Sequence, residues 1–241
     1  MSAPASAVIV AGGGGRRIGG PPKQFREIGN RPMLAWSCER FSRHPDIDRI
    51  VVVVPADVVA KPPAWLHRPG LELAAGGPTR RASVRAGLAT LAAAESAPVV
   101  LIHDAARPFV SDGLIGRLAD AATEGPVIPV IPLADTIKRM QVSAGGAAGA
   151  VESTLDRTRL RATQTPQAFP FALIHRLHEA AEKEGVEPPD DAALCERAGI
   201  RVRTVPGERW AWKITHPEDL DVAEWLGSSG RVAWPAEVGA P

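Results

Sequence analysis

Apolar positions along the chain fall into short continuous runs separated by longer segments with a helical period. The run Ile50-Val51-Val52-Val53-Val54 offers no polar residue to water, which marks a strand covered on both faces. Comparable runs predict strands at Ala7–Val10, Ile50–Val54, Leu71–Ala74, Val99–Ile102 and Val127–Val130. Between them, apolar residues spaced three or four apart predict helices around Met33–Arg43, Thr79–Ala93, Asp112–Glu124 and Phe171–Glu184. Alternation of this kind is a βαβ series, so the expected fold is α/β, with a mostly parallel twisted sheet between two helical layers. Pro32 and Pro217 suit first helical turns, where a missing N–H costs nothing, and Glu218 and Asp219 follow the second of them.

Two regions break the rhythm. From about 140 to 161 the chain is too rich in glycine for a helix and too long for a plain connection, which predicts a projecting β-arm. After Leu226, Gly227-Ser228-Ser229-Gly230 reads as the start of a flexible tail. The expected organisation is therefore one domain over 1–226, with the arm inside it and a tail over 227–241. The chain has 241 residues and 45% hydrophobic content, enough for a full core.

The formal net charge of +1 argues against nucleic acid or an anionic membrane as a partner. No apolar run reaches the roughly 18 residues that span a bilayer. Cys38 and Cys195 are the only cysteines, and the small residues at the N-terminus lack a basic region and an apolar core for secretion. A reduced, cytoplasmic protein is the expectation. His175 and His178 lie one helical turn apart with no cysteine nearby, which reads as a solvated helix face and not a metal site. Trp65, Trp210, Trp212 and Trp225 read as core or interface residues, since no basic field accompanies them.

Positive charge is concentrated locally, after the first strand. There Val8-Ile9-Val10 runs into Ala11 and Gly12 to Gly15, then Arg16-Arg17-Ile18, and Pro22-Lys23-Gln24 follows within one loop. Backbone without Cβ atoms approaches phosphates closely and turns N–H groups toward them, while Arg and Lys supply charge. A dinucleotide fingerprint fails on spacing, because its third glycine slot holds Arg17 or Ile18. A Walker loop fails because Gly20 is followed by Pro21-Pro22-Lys23 with no hydroxyl next. What remains is a G-x-G-x-R pattern with a lysine shortly after, as in nucleotidyltransferases that form sugar nucleotides; a merely flexible turn is the competing account.

Ligands of open α/β sheets bind outside the carboxyl ends of the strands. Asp104 and Arg107 follow one predicted strand, Asp135, Thr136 and Lys138 another, and Thr79, Arg80, Arg81 and Ser83 follow Gly76-Gly77. Asp104 is a candidate Mg²⁺ ligand and Arg107 a candidate phosphate clamp, unless the two simply pair to hold a turn. Taken singly, Thr136 and Ser83 read as turn or cap residues.

As a set, the ordered motifs GGGGRRI, PPKQ, GGPTRRASV, HDAARP, ADTIKR, TLDRTRL, TQTPQAF and WKITHPEDL resemble the 2-C-methyl-D-erythritol 4-phosphate cytidylyltransferases of the non-mevalonate isoprenoid pathway, from about Ala7 to Leu226. The resemblance implies a Rossmann-like three-layer nucleotidyltransferase fold and transfer of CMP from CTP to the polyol phosphate. It implies catalytic roles for Arg17, Lys23 and Lys213, and CTP contacts from Ala11, Gly12, Gly13, Gly15, Gly77, Arg80, Ser83 and Asp104. Asp104, Arg107, Thr136, Arg157, Thr165 and Lys213 would hold the second substrate, and Asp104 would stand near Mg²⁺ or another divalent cation. The family dimerises by exchanging the arm, so Arg157 would reach the partner's site. One departure stands out: where relatives carry a Thr-Asp-Glu-like run, this chain has Pro188-Pro189-Asp190-Asp191, without the hydroxyl. A ribitol 5-phosphate cytidylyltransferase and a non-catalytic nucleotide-binding homologue share the scaffold, and retention of Arg17, Lys23 and Lys213 argues against the second.

Overall fold

The computed structural model describes residues 4–13, 22–93, 97–142 and 148–232. The strands are β1 (Ala5–Val10), β2 (Glu27–Ile28), β3 (Arg31–Pro32), β4 (Ile47–Val54), β5 (Leu71–Ala75), β6 (Val99–Asp104), β7 (Val127–Pro132), β8 (Lys138–Val142), β9 (Ala148–Thr154), β10 (Arg161–Thr163), β11 (Gln167–Pro170) and β12 (Arg203–Pro206). The helices are α1 (Met33–Arg43), α2 (Ala56–Ala60), α3 (Arg80–Ala92), α4 (Asp112–Ala122), α5 (Phe171–Glu184), α6 (Ala192–Arg197) and α7 (Pro217–Ser228). None is long and apolar enough to cross a membrane.

Four of the apolar runs form one half of the sheet, where β5 at the edge, β4, β1 and β6 lie side by side in parallel. Alternate residues of these strands enter different cores. Ala7, Ile9, Val52 and Leu101 pack with Leu34 and Phe41 of α1 and Leu114 and Leu118 of α4. Val8, Val51, Val53 and Ile102 pack on the other face with Val84 and Leu88 of α3 and Ile174 of α5. That gives the three layers expected of a sheet with no face turned to water.

The far half of the sheet is mixed. β11 runs antiparallel between β6 and β7, and β7 also pairs with β10 antiparallel and β12 parallel. The apolar pattern gives no sign of β11, because Gln167-Ala168-Phe169-Pro170 is short and contains a polar residue and a proline. Its antiparallel direction follows from the connection, a hairpin in place of a helix.

That hairpin is the expected arm, but it occupies Lys138 to Thr154 as β8 and β9, and by Arg161 the chain has rejoined the sheet beside Pro132. Helix α7 begins on Pro217, and Asp219 accepts the backbone N–H of His216 at 2.8 Å and of Thr215 at 2.6 Å. It continues through Ser228, so the tail does not begin at Gly227. A Cβ on Gly227 would lie 2.8 Å from Ile28, a close approach that only glycine allows. Residues 233–241 lie outside the described residues. Trp210 and Trp225 are half exposed, so neither is a core residue.

Candidate active site

The parallel strands end along one edge. Val10 is level with Val53 and Asp104, and Val54 with Ala75. The Ala11 N–H still reaches Val53 O at 2.7 Å, and the Gly76 N–H reaches Val54 O at 2.8 Å. Past those bonds, two glycine segments touch. A Cβ on Gly76 would lie 3.2 Å from Gly12 Cα, one on Gly12 would lie 3.2 Å from Ser83 Oγ, and one on Gly77 would lie 2.5 Å from the Cβ of Ala82. Bare backbone is therefore required where the two loops meet. The buried Ser83 hydroxyl donates to Thr79 O at 3.0 Å and accepts the Gly77 N–H at 3.1 Å, fixing the second loop on the first turn of α3. Thr79 caps that helix by accepting the Ala82 N–H.

Gln24 closes the first loop from the other end, donating its amide to Ala11 O at 2.7 Å. That bond holds the turn Lys23–Phe25 against the end of β1. Gly14, Gly15, Arg16, Arg17 and Ile18 lie outside the described residues, as does the side chain of Lys23. Gly13 is exposed beside Gly12.

Asp104 stands at the end of β6 among cations. Its Oδ1 accepts from Arg80 Nε at 3.0 Å and its Oδ2 from Lys213 Nζ at 2.7 Å. Burial raises the pKa of this carboxyl, and the charges of Arg80 and Lys213 outweigh that and hold it well below the usual range. It is ionised at any physiological pH. Arg107 does not pair with it. Its guanidinium donates to Ala211 O at 2.8 Å and Thr163 O at 3.5 Å, and burial, then the nearby Arg80, lower its pKa against the pull of Asp104.

Thr165 is buried, and its hydroxyl accepts the Asp104 N–H at 3.0 Å. That leaves its proton for His103 Nδ1, 3.3 Å away, so the proton of the neutral ring is on Nε2 and faces Ser37 Oγ and Arg107 O. Burial lowers the His103 pKa to about 3, with Asp104 opposing and Arg107 reinforcing the shift. Thr136 and Arg157 are exposed at the base of the hairpin, and Arg157 donates to Ala134 O.

Glycine backbone, an acid between two cations and an N-capped helix, all at the carboxyl edge of a parallel sheet, are what a nucleotide's phosphates and ribose require. The profile described as IspD, 2-C-methyl-D-erythritol 4-phosphate cytidylyltransferase, matches residues 5–227. The chain belongs to this family. The bifunctional enzyme IspD/IspF of Bradyrhizobium diazoefficiens is 48% identical over 222 residues, which cover 89% of this chain and 54% of that one. The chain thus spans about half the length of the bifunctional relatives it matches. The 2-C-methyl-D-erythritol 4-phosphate cytidylyltransferase of Thermus thermophilus is 42% identical over 92% of this chain and 96% of its own. A crystal structure of the cytidylyltransferase from Thermus thermophilus superposes with a TM-score of 0.75 and 38% identity over 94% of this chain and 98% of the other.

Within the family frame, the structure brings together Ala11, Gly12, Gly77, Arg80, Ser83, Asp104, Thr165 and Lys213. Among the described residues, no hydrogen bond or ion pair joins Thr136 or Arg157 to Asp104. Two buried residues were missed. Asp191 is fully buried and accepts from Arg80 at 2.7 Å and from His178 Nε2 at 3.1 Å. His178, read as part of a solvated helix face, is fully buried too, and only His175, partly buried and stacked on Phe171, keeps contact with solvent. The sequence signal for Asp191 is its place in the acidic pair after Pro189. Among the described residues, no group of three or more His, Cys, Asp or Glu side chains could hold a metal.

Proposed function

We propose that the chain transfers CMP from CTP to 2-C-methyl-D-erythritol 4-phosphate, giving 4-diphosphocytidyl-2-C-methyl-D-erythritol and pyrophosphate. The array Lys213–Asp104–Arg80 beside the bare backbone of Gly12, Gly76 and Gly77 carries the reading. The substrate phosphate attacks the α-phosphorus of CTP in line, and pyrophosphate leaves with the bridging electron pair. With a second phosphate pKa near 6, the nucleophile is already ionised at neutral pH, and no general base is needed. Two anions must be brought together, so the protein's task is positioning and charge compensation. Lys213, Lys23 and Arg17 supply that charge. Arg80, Ser83 and the glycine backbone hold the nucleotide. Asp104 orients Lys213 and Arg80, and Arg107, Thr136, Thr165 and the partner's arm carrying Arg157 form the polyol phosphate side.

A nucleotide-borne Mg²⁺ suits this donor set. Each Asp104 oxygen accepts one hydrogen bond and retains a lone pair, and Mg²⁺ takes only one or two protein carboxylates when phosphates supply the rest. When bound, the ion adds positive charge over the triphosphate. Met140 and Val151 face one another across the hairpin with both side chains exposed, an apolar pair suited to a second copy of the chain. Cys38 and Cys195 are free and buried, in keeping with a reducing cytoplasm.

The test is Mg²⁺-dependent pyrophosphate release from CTP with 2-C-methyl-D-erythritol 4-phosphate, run beside ribitol 5-phosphate and with ATP or UTP in place of CTP. Release confined to CTP with methylerythritol phosphate is the expected result. Preference for ribitol phosphate, or no release with either acceptor, overturns it.

A further inference from the structure

Arg80 is held at two points, and only one of them belongs to the open edge of the site. Its Nε reaches Asp104 while its NH2 reaches Asp191, which has no exposed surface. Asp191 is fixed in turn by a shell of its own. His178 on α5 donates Nε2–H to Asp191 Oδ1 at 3.1 Å, and Gln167 on β11 accepts the Asp191 N–H at 3.2 Å and the Ala192 N–H at 3.1 Å. Gln167 also donates to Asp190 at 2.8 Å, and Asp190 accepts the Ala193 N–H at the start of α6. Four elements thus converge on one buried carboxylate whose side chain meets Arg80 and His178.

Burying a carboxylate this completely carries a large desolvation penalty, which an ion pair recovers only with good geometry and further hydrogen bonds. An apolar residue would cost the fold less, so the arrangement calls for a return other than stability. The second nitrogen of His178 points the same way. Nδ1 is buried and has no partner among the described residues, so the ring's one polar contact is with Asp191. Asp104 alone would let the Arg80 guanidinium pivot about Nε. The second bond stops that rotation and fixes where the remaining N–H groups of Arg80 lie.

We propose that Asp191 and His178 are positioning residues for the nucleotide half of the site, acting through Arg80. The proposal rests on the cytidylyl-transfer reading. In Asp191→Asn the KM for CTP should rise about tenfold, the low end of what supporting partners of bound groups are worth. The KM for the polyol phosphate should stay within about twofold, the scatter of independent sites. The effect should vanish in an Arg80→Ala background, because the group being positioned is gone. His178→Leu should raise the CTP KM, and His178→Gln, which keeps an N–H donor, should restore most of it.

An unchanged CTP KM in folded Asp191→Asn overturns the proposal. So does an equal rise in both KM values, or a full multiplicative effect on top of Arg80→Ala. If Asp191→Asn does not fold, the His178→Leu and His178→Gln pair decides by the same comparison. Titration calorimetry of CTP into wild type and variants reads the nucleotide site without turnover. Wild-type protein that binds CTP but releases no pyrophosphate therefore sinks the transfer reading alone, and a normal wild type with unaffected variants sinks only the positioning role.

Discussion

At the scale of single residues, charge placement sets what each group can do. Lys213 reaches Asp104 from a segment 109 residues away, with a side chain that remains partly open to solvent. A cation so placed can serve the acid at rest and reacting phosphates in turnover. Lys213→Ala should lower turnover by about 10²–10³, as loss of a preorganised transition-state donor does, while the melting temperature changes little. A drop of less than about threefold in a folded variant, measured by pyrophosphate release, would remove Lys213 from the machinery. His103 illustrates the opposite case, a titratable group kept from titrating. Its pKa lies near 3 in the fold against an ordinary 6.5. Between those values the unfolded chain takes up a proton that the folded chain refuses, so stability is full above about 6.5 and declines as pH falls, by up to about 1.4 kcal/mol per unit. Asp104 and Asp191, both held below the usual carboxylate range, act in the same direction below about pH 4. Melting curves without divalent cation should therefore slope downward from about pH 6.5 to about 4.5, and His103→Gln should flatten the slope. An unchanged slope in the variant would show that another group is responsible.

At the scale of elements, close approach decides more than propensity. Gly87 sits inside α3, where glycine is a poor helix former, and a Cβ there would lie 2.5 Å from Val8 and 2.9 Å from Val53. Helix preference alone says that Gly87→Ala stabilises by about 1 kcal/mol, whereas overpacking against β1 and β4 costs about 1–3 kcal/mol. The second effect should prevail and lower the melting temperature by about 2–4 °C per kcal/mol lost. A higher melting temperature would mean that α3 lies farther from the sheet. The same contrast explains what could be read from the chain. Ile50–Val54 and Val99–Ile102 were legible because a strand buried on both faces must be apolar throughout, and Met33–Arg43 because its 3.6-residue period survives in the sequence. β11 and β12 were not, since four residues ending in a proline carry no period that a loop could not match. At the site, the glycine and strand-end residues were legible because their backbone or their position after a strand requires them. Asp191 was not, because its partner Arg80 lies 111 residues away and only the closed fold brings them together.

At the scale of the whole molecule, the described residues of one chain bring part of the expected constellation together. Lys213, Asp104, Arg80 and Thr165 converge within it. Arg157, at the foot of the exposed hairpin, instead donates to Ala134 O of its own chain. If two copies exchange hairpins, Arg157 serves the site of the other copy, and each site depends on residues from both. Symmetry then makes the contributions separable. Arg157→Ala and Lys213→Ala homodimers should each be nearly inactive. Co-expressed, they form mixed dimers in which the subunit with an intact Lys213 receives an intact Arg157 from its neighbour, while the other site lacks both. Half the dimers would be mixed, each with one competent site in two, so activity should recover to about a quarter of wild type. Sedimentation should show a dimer throughout, and Met140→Glu together with Val151→Glu should shift it toward monomer by placing like charges across the hairpin's apolar pair. A co-expressed mixture no more active than its parents, while still dimeric, would place Arg157 in the site of its own chain, and the hairpin would then join the two copies without completing either site.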